Sequence, residues 1–131
     1  MLRLDPMLFE QVLFNLLDNA AKYSPEGSLI RVTARQKGAV VRLQVIDEGP
    51  GIPPAELDRI FDKFYRTRVT DGRRAGTGLG LAVCRGFVEA MGGNIGAGNR
   101  QEGHGAVFSI TVPVAADAAS AEAAAISSFR R

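Results

Sequence analysis

Cysteine occurs once in the 131 residues, as Cys84, and histidine once, as His104. A single cysteine excludes a disulfide framework and any cysteine-built metal site. His104 lies between Gly103 and Gly105, in a turn, and is assigned no chemical role. No apolar run approaches the length that crosses a bilayer, and no apolar stretch of signal-peptide type opens the chain. Nor is charge of one sign in excess: 16 basic against 14 acidic residues leave +2. The chain as a whole therefore lacks a basic footprint for nucleic acid. These absences describe a soluble domain of a reducing compartment, at a length near the commonest for one domain.

Apolar side chains and glycine are well supplied. Leu, Ile, Val and Phe provide 36 of the 131 residues, enough to exclude global disorder. Nine of the 15 glycines fall between Gly72 and Gly98. Asp5-Pro6 is a helix start, a capping carboxylate followed by proline at the first helical position. From Pro6 to Lys22 apolar residues recur at helical spacing, and Ser24-Pro25-Glu26-Gly27 closes the segment as a turn. Ile30, Val32 and Ala34 alternate with polar neighbours as a strand does. A Lys37-Gly38 turn then leads into a second strand, Val40 to Asp47. Pro53 to Phe61 reads as one or two helical turns, and Lys63 to Thr77, without periodicity, as a mobile loop. Gly78 to Met91 is a second helix ended by Gly92-Gly93. Strands Asn94–Asn99 and Ala106–Val114 flank a glycine turn. Residues 115–131, alanine-rich and then polar and basic, are expected to be a frayed helix or disordered tail outside a domain spanning 1–114. The expected fold is α+β, a two-layer sandwich whose mixed, mostly antiparallel sheet is covered by helices on one face.

Three groups of residues carry chemistry. Asn15, Asn19 and Lys22 lie on one stripe of the first helix. Asparagine is a poor helix former, and these two interrupt an apolar surface bordered by Leu8, Val12 and Leu16. The stripe is either a solvent-facing edge or a binding face, and amide oxygens with a lysine suit a magnesium-bound phosphate chain. Asp47 shares the core-facing side of its strand with Val41, Leu43 and Val45. Its carboxylate needs a donor there, either a backbone amide of the following turn or the exocyclic amine of a purine. In the second case, Gly49 and Gly51 let backbone and base approach closely. Gly76-Thr77-Gly78-Leu79-Gly80-Leu81 opens the second helix with alternating glycines, an arrangement that cradles anions, hinges a loop, or does both. It is neither a P-loop nor a dinucleotide fingerprint. In the preceding basic loop (Lys63, Arg66, Arg68, Arg73, Arg74) most charges are solvated surface. Arg66 is the exception, following the aromatic cluster Phe61, Phe64 and Tyr65 that would anchor its base, and arginine binds phosphate oxygens bidentately. Cys84 falls on the apolar stripe Leu81, Cys84, Val88, Met91 and is read as core.

Taken in order from Asp5 to Pro113, these segments resemble the ATP-binding catalytic domain of bacterial sensor histidine kinases, in the gyrase, Hsp90, histidine kinase and MutL group. NLLDNAAKYS is similar to that family's N box, DEGPGI to its first glycine box and IFDKFYR to its F box. GTGLGL is similar to the second glycine box, and GHGAVFSITVP to the closing strand. IFDKFYR, LAVCRGFVEAMGG and GNRQEG look most like the Kdp-type, potassium-responsive members. The resemblance implies ATP and magnesium as ligands. Asn19 would ligate the metal, Asn15, Lys22 and Tyr23 would line the phosphate and ribose side, and Asp47 would accept from the adenine amine. Gly49, Gly51, Ile52 and Phe61 would shape the pocket. Arg66 with Gly76, Thr77, Gly78, Leu79, Gly80 and Leu81 would hold the triphosphate, and Asn15 and Arg66 would be the catalytic pair.

The wider group's hydrolases and serine kinases carry glutamate where this chain has Asn15, and asparagine cannot take a proton at neutral pH. That favours transfer to a nucleophile needing little activation, such as a neutral imidazole on another domain. No helical dimerisation domain with an acceptor histidine precedes the N-box helix here. The chain is therefore expected to be a cytoplasmic fragment of a parent anchored in the bacterial inner membrane. Its expected partners are that dimerisation domain and, through it, a response regulator. Two other readings share the motifs. A serine kinase of the anti-sigma-factor type should retain glutamate at position 15, and a non-catalytic nucleotide-sensing module is separated by a phosphotransfer assay.

Overall fold

The computed structural model describes residues 6–57, 59–62, 80–113 and 123–130. Helix α1 runs Pro6–Tyr23, as its periodicity predicts. Val12, Leu16 and Ala20, four apart, are at most 1% exposed and form its core stripe. Each large apolar side chain buried in this way contributes about 1.5–3 kcal/mol. The Ser24 amide closes the last turn on the Ala20 carbonyl, 3.0 Å away, and Pro25 prevents continuation. The proposed cap at Asp5 lies outside the described residues.

Strands β1 (Leu29–Lys37) and β2 (Val40–Ile46) form a hairpin, with Lys37 opposite Val40. Gly38, at φ +61°, makes the turn between them. A single 3-10 turn, Pro54–Glu56, follows. Helix α2 (Gly80–Ala90) leads into β3 (Asn94–Asn99) and β4 (Ala106–Pro113). The sheet order is β3-β4-β2-β1, then the strand Ala123–Arg130, labelled β5, at the far edge. All four pairings are antiparallel. Alternation decides which face is covered. Along β4, Ala106, Phe108, Ile110 and Val112 are buried, and with Leu43 and Val45 of β2 they meet Val12, Leu16, Cys84, Val88 and Met91 of the helices. The opposite face is polar, with Gln44 Nε2 donating to Ser109 Oγ at 3.0 Å. This is the two-layer α+β sandwich the sequence predicts.

The end of α2 is fixed by two glycines with separate duties. Gly92 takes the left-handed conformation (φ +81°). The Gly92 and Gly93 amides donate back to the Glu89 and Val88 carbonyls, both at 2.9 Å, satisfying the orphan carbonyls of the last turn. At Gly93, an added Cβ would run into the Thr111 carbonyl, so its bareness lets the helix end lie directly on β4.

The tail departs from expectation. Residues 123–130 are not a frayed helix or disordered segment but β5, paired along β1 from Leu29 opposite Arg130 to Gln36 opposite Ala123. Alanine's helix propensity is a weak prior, and the free backbone groups of the β1 edge overrule it.

Candidate functional site

Asp47 stands where β2 leaves the sheet, 3% exposed. Its Oδ1 accepts two backbone amides, Gly49 N at 2.8 Å and Ala106 N at 3.0 Å. The backbone donor foreseen in the following turn is therefore present, together with a second from β4. Among the described residues no donor reaches Oδ2. Burial pushes the carboxyl above its ordinary value of 3.8, against the two amides and the Arg100 charge, which pull it down. One oxygen thus holds the loop, and the other is left out of that fastening.

The glycine loop that follows is tight because protein surrounds it. An added Cβ at Gly49 would lie 2.7 Å from the Tyr23 carbonyl at the end of α1. At Gly51, which has φ +82°, it would lie 2.7 Å from Asn99 Oδ1. One of the two sequence readings gives both glycines to close approach of a base. In the structure their bareness admits Tyr23 and Asn99, and the result is to bring Asp47 against the N-box end of α1.

On α1, Asn15 and Asn19 are both half-buried rather than solvent-facing. Asn15 lies close enough to Cys84 of α2 for its amide to favour the thiolate. Cys84 is fully buried, with Sγ 3.9 Å from the Val12 carbonyl, and burial pushes its thiol up to about 11. Cys84 is thus a core residue, as its place on the apolar stripe predicts. Lys22 pairs with Asp18 at 3.1 Å across one helical turn, both side chains more than 40% exposed. A surface pair of that kind is worth under about 1 kcal/mol, so it does not withhold the ammonium from a phosphate. Phe61 is 8% exposed, and its ring stands edge-on to Phe108 at 6.3 Å and 87°. It is a core anchor for the segment ahead of the basic loop. Ile52 is half-buried, and Leu81 packs partly buried against the core just after Gly80 opens α2. Lys63, Phe64, Tyr65, Arg66, Arg68, Arg73, Arg74, Gly76, Thr77, Gly78 and Leu79 lie outside the described residues.

Sequence reasoning missed the residues behind the loop. Asn99 mimics a backbone partner: the Ile52 amide donates to its Oδ1 at 2.7 Å, and its Nδ2 donates to the Ile52 carbonyl at 2.8 Å. His104 Nδ1 lies 2.9 Å from the Gly49 carbonyl oxygen, so that nitrogen carries the proton. Glu48 accepts the Leu29 amide at 2.9 Å and sits 3.9 Å from Arg100. A cleft of about 330 Å³ opens between Pro50–Pro54 and the Asn99 to Gly105 turn. A polar strand end before a glycine turn was the only sequence signal for this group.

A magnesium site built on acidic clusters is absent among the described residues. An amide such as Asn19 fits the remaining possibility, since magnesium is commonly held by one or two protein oxygens, substrate phosphates and water.

Known proteins resemble this chain in sequence and fold. Residues 4–116 match the family described as histidine kinase-, DNA gyrase B- and HSP90-like ATPase. The chain is 47% identical over 115 residues to the sensor protein KdpD of Clostridium acetobutylicum, covering 86% of this chain and 13% of that one. It is 46% identical over 113 residues to KdpD of Escherichia coli, covering 86% and 12%. Thus it spans about an eighth of the length of these relatives. Among solved structures, the mycobacterial sensor histidine kinase MprB superimposes with a TM-score of 0.76 at 33% identity, over 83% of this chain and 74% of that one. Full-length ShkA, solved in complex with AMPPNP, gives 0.67 at 34% identity, over 83% and 22%. With the N-box helix, the buried aspartate and the glycine loop in this shared frame, the chain belongs to the histidine kinase-, DNA gyrase B- and HSP90-like ATPase family, as a catalytic domain of the sensor histidine kinase type.

Proposed function

We propose that the chain binds ATP with magnesium and donates the γ-phosphoryl group to a histidine on a separate dimerisation domain. The parent is then a two-component sensor kinase anchored in the bacterial inner membrane, and a response regulator takes the phosphoryl group from that domain. The observation that carries the reading is Asp47. Its Oδ1 accepts the amides of Gly49 and Ala106, which leaves Oδ2 as the acceptor for an exocyclic amine. Adenine presents a donor there, whereas guanine would present a carbonyl and set two acceptors face to face.

Asn19 would hold the metal and Lys22 the phosphates, with Tyr23 toward the ribose and Arg66 and residues 76–81 around the triphosphate. Magnesium, when bound, neutralises charge on the phosphate oxygens. Asn15 cannot accept a proton at neutral pH, so position 15 supplies no base to activate water. Transfer then relies on positioning. An imidazole nitrogen forms the new bond to the γ-phosphorus as the bond to the β–γ bridging oxygen breaks, and ADP leaves with that electron pair. The same absence of a base speaks against the serine kinase reading.

Mixing the chain with a matching dimerisation domain and radiolabelled ATP is the direct test. An alkali-stable, acid-labile label on the partner is expected. A folded chain that shows no thermal shift with millimolar ATP and magnesium would overturn the reading. At a hundredfold excess over Kd, binding adds about 2.7 kcal/mol, roughly 8 °C for a domain of this size.

A further inference from the structure

We propose that the β3–β4 hairpin sets the shape of the base-reading loop, with Asn99 and His104 as positioning residues for nucleotide selection. The inference rests on the ATP-binding reading and extends it to residues with no assigned part. The loop Asp47–Ile52 has little regular structure of its own, so its conformation has to come from its neighbours. Five hydrogen bonds tie it to one hairpin. Asn99 brackets both backbone groups of Ile52, at 2.7 and 2.8 Å. His104 Nδ1 donates to the Gly49 carbonyl at 2.9 Å. Ala106 exchanges with Asp47, its amide donating to Oδ1 at 3.0 Å and its carbonyl accepting the Asp47 amide at 3.0 Å. Gly105, at φ +137°, lies so close to the Asp47 carbonyl that no side chain could be added there. Arg100 adds a looser electrostatic link, 3.9 Å from Glu48.

The fastenings act on the atoms that matter for the base. His104 fixes the Gly49 peptide, and the Gly49 amide occupies Asp47 Oδ1, which determines where Oδ2 is aimed. Asn99 fixes Ile52 and crowds Gly51, which determines how the loop turns away. Neither side chain needs to touch the nucleotide. Truncating either one would loosen the aim of Oδ2 and weaken ATP in proportion to how much Asp47 contributes.

That coupling separates a positioning role from general stabilisation. In the full 131-residue chain, Asn99→Ala is expected to raise the Kd for magnesium-ATP roughly tenfold, as loss of two hydrogen bonds predicts. In an Asp47→Asn background the same change should cost less than about threefold, because the group being aimed is no longer an acceptor. His104→Ala should weaken ATP about threefold, and His104→Asn, which returns a donor near the Nδ1 position, should restore it. If Asn99→Ala does not fold, the His104 pair decides alone. Equal losses in both Asp47 backgrounds, or ATP binding within twofold of wild type for both Asn99→Ala and His104→Ala, would overturn the proposal. Should the unmodified chain fail to bind ATP, the underlying functional reading is what falls.

Discussion

Asp47→Asn separates folding from binding at a single atom. An amide oxygen at the Oδ1 position can still accept from Gly49 and Ala106 at 2.8 and 3.0 Å, so the loop retains its fastening. What changes is the second position, where an acceptor oxygen becomes a donating NH₂ group. Against adenine's amine, the variant loses one hydrogen bond to a charged acceptor and gains a donor–donor clash. A bond of that kind is worth about 1.5–3 kcal/mol, so the Kd for ATP should rise about 10- to 150-fold. GTP should gain, because guanine's carbonyl now meets a donor, and the ATP-to-GTP preference should collapse. Stability should move the other way. Burial raises the Asp47 pKa in the folded chain, so ionising it costs stability. The cost is absent below the unfolded value of 3.8 and grows as pH rises through the higher folded value. At pH 7 the ligand-free variant should therefore be at least as stable as the parent, with the difference closing in acid. Calorimetric titration with both nucleotides and urea melts at pH 4 and pH 7 measure all of this. A stable variant that keeps its ATP affinity and selectivity would refute the assignment of Oδ2 to the base. A variant that unfolds would refute the hydrogen-bond geometry.

Other expectations follow from particular contacts. Gly93→Ala should lower Tm by several degrees, since overpacking against the Thr111 carbonyl costs about 1–3 kcal/mol, and an unchanged Tm would mean the helix end is free to lift. Ser24 is 3% exposed, and its hydroxyl has no partner among the described residues. Ser24→Ala should accordingly be neutral or stabilising, and a loss above about 1 kcal/mol in a urea melt would contradict it. Cys84 should resist alkylation at pH 8 until denaturant is added. Its thiol titrates near 11 in the folded chain against 9.0 ordinarily, so its stabilising contribution holds below pH 9 and is lost as pH climbs through 11. The isolated chain should show negligible self-phosphorylation and weak hydrolysis; a label that disappears in His104→Ala would show that the turn histidine is an acceptor after all.

Local pattern is a good guide to the elements and fails where chain-distant residues meet. Period-four apolar spacing places α1, period-two alternation places β2 and β4, and the same alternation turns Asp47 inward. Cys84 is legible for the same reason, as one position on a helical stripe. Asn99 and His104 are not. Their partners Ile52 and Gly49 lie 47 and 55 residues away along the chain, and no periodicity reports which turn will lie behind which loop. Gly49 and Gly51 stand out in the sequence as sites of close approach, but the neighbours prove to be Tyr23 and Asn99. The tail misleads because alanine's preference is local, whereas the β1 edge that recruits it is not.

The placement of β5 has a consequence for how the chain is made. The β1–β2 hairpin can zip as soon as Val40–Ile46 has emerged, but the outer flank of β1 waits for residues at the other end of the sequence, with Leu29 facing Arg130. Pairings of such long span form slowly. Until Ala123–Arg130 emerges, then, β1 offers a bare row of amides and carbonyls to any neighbouring nascent chain. The hazard of mispairing during translation ends only when β5 arrives to cover it.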